Sequence, residues 1–137
     1  MTVSVSSPVR FCLAAALLCT AALGCGAGRQ VQKGVNHYNA QNFPGALVVW
    51  QTLEQDEGAM NEKGLVRYLV YRGLTHHSLG HQQWARHFLA RGRQAYQAGE
   101  PGWLPPAVVQ QLEQALAGLG QAPQPAAPAG EEPITIQ

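Results

Sequence analysis

Two glycine–alanine pairs at matching spacing constrain this chain more than any other feature. Gly34 precedes Ala46 by 12 residues, Gly73 precedes Ala85 by 12, and the pairs are offset by 39 residues. Helices cross closely only where one side chain is small enough to admit a larger neighbour. The surrounding residues carry helical periodicity. Val31, Val35 and Tyr38 recur at that spacing, Asn42, Phe43, Pro44 and Gly45 mark a turn, and Ala46, Leu47, Trp50 and Leu53 resume the period. A second unit follows: Leu65, Tyr68, Leu69, Arg72 and Gly73 run on to Leu79, Gly80 is placed as a left-handed stop, and Trp84, Ala85, Phe88, Leu89 and Tyr96 begin again. No segment alternates as a strand would. The expected fold is all-α, with two helical hairpins in tandem and a C-terminal capping helix. Pro105 and Pro106 open that last helix, Val108, Val109, Leu112, Leu116 and Leu119 give it an apolar stripe, and Trp103 and Leu104 are placed to staple it down.

The pattern resembles the tetratricopeptide repeat. Unit one supplies Gly34, Tyr38, Phe43, Ala46 and Trp50 at the matching places, and unit two supplies Gly73, Gly80, Ala85 and Leu89. The chain departs from the family at His37 and His76, where Tyr is preferred, and at Gln82, where the turn aromatic is missing. The period of 39 also exceeds the family's, which is about 34; the surplus fits a polar loop from Glu57 to Asn61. The resemblance covers Arg29 to Gln97 and implies a concave surface, lined by the first helix of each repeat, that takes an extended peptide or a helix of another protein. Carried over position by position, the outward residues are Val31, Val35, Tyr38 and Asn39, then Arg67, Val70, Leu74, His77 and Ser78, with Tyr71 toward the rim. Tyr38, Asn39, Arg67, Tyr71 and His77 form the expected partner-binding set: Tyr38 as a rigid anchor, Asn39 holding backbone, Arg67 pairing with a carboxylate. Val35, Val70 and Leu74 read equally well as core.

Ahead of this domain, Arg10 precedes an uncharged apolar run from Phe11 to Leu23, followed by Gly24 and Cys25. Such a run reaches only ~20 Å as a helix, short of a ~30 Å hydrocarbon core, so it reads as an export signal. The order Ala21-Ala22-Leu23-Gly24-Cys25 resembles a bacterial lipobox, with Ala22 where Leu is more usual and Leu23 where smaller residues are favoured. The resemblance implies removal of residues 1–24, lipid on Cys25, a lipidated linker over 25–28, the helical domain over 29–119, and anchorage to a membrane. Gly26 in place of Asp favours the periplasmic face of the outer membrane. Ordinary secretion with cleavage nearby is the other reading. Cys12 and Cys19 would leave with the leader, so no disulfide and no thiolate-based metal site remains in the mature chain. The stretch 120–137, dense in Pro, Ala, Gly and Gln, is expected to be a disordered tail.

From Cys25 onward, eight Lys and Arg balance eight Asp and Glu, which argues against nucleic-acid binding. The span Lys63 to Arg93 holds six basic residues, four of the five histidines and no acid, so one face is either locally positive or an ordinary solvated surface. His76, His77, His81 and His87 form a candidate zinc or copper cluster, although Gly80 between them predicts that the rings diverge. The competing reading is ordinary surface or inter-helix histidines. No catalytic grouping is visible: Ser78 neighbours His77 in sequence, but adjacent helical residues do not face each other and no acid completes a triad. The expected function is a membrane-anchored adaptor or assembly factor of the cell envelope that binds protein, with no enzyme activity, cofactor or resident metal. The alternatives are a periplasmic metal-binding protein using that histidine cluster, and a purely structural envelope protein.

Overall fold

The computed structural model describes residues 24–120, with side chains described from Gly26 onward. The expected leader (1–24, all but its last residue) and the tail beyond Gly120 lie outside the described residues, as does the side chain of Cys25. Five α-helices make up this region: α1 (Gly24–Asn39), α2 (Phe43–Thr52), α3 (Glu62–Ser78), α4 (Gln82–Ala98) and α5 (Pro106–Gly120), with a 3-10 helix at Glu54–Ala59. The described region is thus all-helical. Residues 25–28, expected as a linker, lie within the beginning of α1. None of the described helices is long and apolar enough to cross a membrane.

Helix boundaries follow local chemistry. Asn42 caps α2 by accepting from the Gly45 amide at 3.0 Å, and Asn61 caps α3 by accepting from the Gly64 amide at 2.8 Å. Pro44 falls in the first turn of α2, where its missing N–H has no intrahelical acceptor to lose. The break expected at Asn42–Gly45 therefore sits earlier, over Ala40–Asn42.

α1 packs on α2 and α3 on α4, each pair joined by a tight turn, and the two turns share their closing backbone bonds at the 39-residue offset. In the first, the Asn42 amide donates to the His37 carbonyl at 2.9 Å and the Gln41 amide to the Tyr38 carbonyl at 2.9 Å; in the second, His81 donates to His76 at 2.9 Å and Gly80 to His77 at 3.1 Å. Both are Schellman closures, which need a left-handed residue. Gln41 (φ 58°) and Gly80 (φ 78°) supply it. The small-residue contacts match as well. A Cβ built on Gly34 would overlap the Trp50 indole, and one built on Gly73 would lie 2.7 Å from Leu89 Cγ. Both contacts fall where the first helix of a hairpin crosses its second.

α3 is the central element. It touches α1, α2, α4 and α5, and every residue from Tyr68 to His76 is buried. Along an enclosed stretch of helix, polar side chains must find most of their partners inside the protein. Thr75 accepts from Trp50 Nε1 at 3.0 Å and donates to the Tyr71 carbonyl at 2.7 Å. Arg72, fully buried, donates to the Tyr68 hydroxyl and to Glu54 at 3.3 Å, with its guanidinium carbon 4.1 Å from the Phe88 ring centre. His76 stacks on Phe88, ring centres 5.6 Å apart, and meets His81. α5 closes the structure against α3 and α4 with Val108, Leu112, Ala115 and Leu119 buried, helped by Leu104 at 2 % exposure and by Trp103 lying against Gly99.

Candidate functional site

The expected partner face is only partly a surface. Val31, Val35, Val70 and Leu74 are all at 3 % exposure or less, and so is Tyr71. Of the two readings open for Val35, Val70 and Leu74, the core reading is the observed one; Val31 joins them, and Tyr71 does not reach a rim. α1 and α5 both pack on α3, and the ring of Tyr38 meets Tyr71 edge-on with centres 5.3 Å apart. What the resemblance assigned to a groove floor is therefore sealed.

A smaller cleft of about 210 Å³ remains at the C-terminal ends of α1 and α3, lined by Tyr38, Leu74, His77, Ser78, Gln111, Gln114 and Ala115. Tyr38 and His77 are brought together here. The Tyr38 hydroxyl donates to Gln111 Oε1 at 3.2 Å, tying α1 to α5. Burial pushes the Tyr38 pKa up, reinforced by Tyr71 and opposed by a bond from Ser78. Burial likewise raises Tyr71, against the pull of Arg67. Both phenols are accordingly neutral hydrogen-bonding groups at physiological pH.

The other two expected residues stand apart. Asn39 is exposed at the last position of α1 and does not line the cleft. Arg67 lies ten residues before His77, about 15 Å along the same helix. Its guanidinium donates to Gln32 Oε1 at 2.9 Å, and Gln32 in turn donates to Asn36 at 2.8 Å. Gln111 and Gln114 were not legible as site residues. Proline and periodicity announce α5, but not the flank it lies against.

The cleft mixes polar and apolar groups, and no Lys, Arg, Asp or Glu lines it. Amide, hydroxyl and imidazole groups over the apolar Leu74 and Ala115 can exchange hydrogen bonds with a peptide main chain or with polar side chains. A second hollow of about 200 Å³, walled by Leu65, Val66, Ala95, Ala98, Gly99 and Trp103 with Glu62 at its edge, is more apolar.

Three arginines of the basic run face acids and a fourth meets a backbone carbonyl. Arg72 meets Glu54, Arg91 meets Glu57, Arg93 lies 3.5 Å from Glu113, and Arg86 donates to the Leu119 carbonyl at the end of α5. The acids come from the α2–α3 connection and from α5, which run-counting along the chain does not bring together.

The four-histidine cluster also divides. His77 lines the cleft, whereas His76 and His81 meet on the side of α3 that packs on α4. His87 sits edge-on to Trp84 and Phe88, ring centres 6.3 and 5.0 Å away. Its pKa is lowered by burial first, then by Arg91 and Arg72, with Glu57 opposing. Among the described residues, no three or more His, Cys, Asp or Glu converge in a metal-holding group. No known family, curated protein or solved structure matches the chain.

Proposed function

We propose that this protein is a lipid-anchored, tetratricopeptide-like adaptor of the bacterial envelope that holds a segment of a partner protein at the Tyr38–His77–Gln111 cleft. The observation that carries the reading is the pair of similar hairpins, with the same closing turn bonds and small-residue contacts at a fixed offset. Repeats of this kind stack into extended surfaces used for binding rather than for chemistry. α5 supplies one wall, so the binding surface is short and mixes polar with apolar groups.

The order Ala21-Ala22-Leu23-Gly24-Cys25 supports anchorage through lipid on Cys25, and Gly26 favours the periplasmic face of the outer membrane. The near balance of charge speaks for a protein partner over nucleic acid. Two measurements test this. Mass spectrometry of the cell-derived amino terminus reads cleavage before Cys25 and acylation of its sulfur; an intact leader or a free thiol there refutes the anchor. Photo-crosslinkers at Ser78 and Gln114, compared with one at the exposed Ala90 of α4, read the face. A partner captured equally from Ala90 refutes the cleft.

A further inference from the structure

We propose that His76 and His81 form a two-imidazole site for a divalent late transition metal, of which zinc fits best. Their Nδ1 atoms stand 3.2 Å apart. Two nitrogens bound to one tetrahedral zinc at 2.0–2.1 Å are separated by about 3.3 Å, whereas the square-planar arrangement preferred by copper brings them to about 2.9 Å. The pair therefore already spans one edge of a tetrahedral site. His76 is 1 % exposed and its ring is held by the Phe88 stack, while His81 is exposed and leaves the outer side open for water or an incoming ligand.

The first hairpin shows why this pair is more than a turn device. Its equivalent positions are His37 and Asn42, and Asn42 makes the matching contact to His37 Nδ1 at 3.2 Å. Asn42 does this while its Oδ1 caps α2 at the Gly45 amide. His81, at the corresponding place, makes no capping bond to α4. Histidine there gives up a cap that Asn supplies in the sister turn. A position that sacrifices local stability while keeping the cross-turn contact points to selection for the second imidazole itself.

Binding needs a lone pair on both Nδ1 atoms, which an imidazole offers in the tautomer protonated at Nε2. The other ring nitrogens are not within reach: His77 lines the cleft and His87 packs against Trp84 and Phe88. Arg72, over the same Phe88 ring, opposes a divalent charge and keeps the affinity below that of a three-histidine site.

The test is zinc titration of the full chain with its three cysteines alkylated, followed by calorimetry and by NMR of the histidine rings. One zinc per chain is expected, with shifts at His76 and His81. His81→Asn, which copies the first hairpin, is expected to stay folded, to melt higher, and to lose the zinc. Asn42→His builds the pair in the first hairpin and is expected to raise the stoichiometry to two. Absence of wild-type binding, binding retained in His81→Asn, zinc shifts confined to other histidines, or a stoichiometry still at one in Asn42→His would each overturn the proposal. None of these results bears on the cleft.

Discussion

Replacing Gly73 with alanine tests the central claim about packing, that α3 and α4 approach closely enough to require a missing side chain. In an exposed helix interior the exchange stabilises by about 0.5–1 kcal/mol, because glycine loses more backbone freedom on folding. At Gly73 the added carbon would lie 2.7 Å from both Leu89 Cγ and Cδ2, and 2.9 Å from the Leu89 backbone nitrogen. Carbon contacts relax at about 3.5–4.0 Å, so roughly 0.8 Å must be found. Leu89 is fully buried and cannot swing into solvent, and the backbone contact yields only if α4 moves as a body. Overpacking of this kind costs about 1–3 kcal/mol, and the backbone contact puts this site near the upper end. Against the propensity gain, the net loss is about 2 kcal/mol. Gly28→Ala is the matched control: it is helical, exposed, and nothing lies within 4 Å of the added carbon. The two variants should differ by about 2–3 kcal/mol, which for a domain of this size separates their melting temperatures by roughly 10–20 °C. Thermal unfolding followed by circular dichroism measures this directly. A Gly73→Ala chain that melts with or above Gly28→Ala would refute the close crossing, and with it the equivalence to Gly34 and Trp50.

Further outcomes follow from other parts of the fold. Gln41→Gly should stabilise by about 1 kcal/mol and Gly80→Ala should destabilise by about 1–2 kcal/mol, because both positions are left-handed; urea unfolding of the two variants reads the opposite signs. Arg72→Ala should cost about 3–5 kcal/mol by emptying the space beside Tyr68 and Phe88, whereas Glu54→Gln, at a side chain 60 % exposed, should cost about 1 kcal/mol or less in the same assay. Burial pushes the Tyr68 pKa up to about 12, against the pull of Arg72. A raised folded-state value means that stability is complete below pH 10 and is lost as pH rises toward 12, so phenolate absorbance should show Tyr68 ionising late and together with unfolding. His87 has the opposite sign: its lowered pKa contributes stability above about pH 6.5 that fades as pH falls through the folded-state value, and His87→Gln should flatten that part of the pH–stability curve.

What the linear chain determined is the set of helices and their closest crossings. Apolar periodicity placed α1 to α5, Gly80 ended α3, Pro106 opened α5, and Gly34 and Gly73 marked where a large neighbour must enter, because these are local consequences of backbone sterics and side-chain size. Tertiary structure alone decided which apolar residues remained available. Val70, Tyr71 and Leu74 have the same side chains in either setting; they are core because α1 and α5 close over α3, and periodicity says that a face is apolar without saying what covers it. The same holds for charge and for histidine. Glu54 and Glu57 neutralise Arg72 and Arg91 from the α2–α3 connection, and the roughly 100° step between successive helical residues sends His76 and His77 to different sides of α3, since pairing depends on distances in space that the order of residues does not contain.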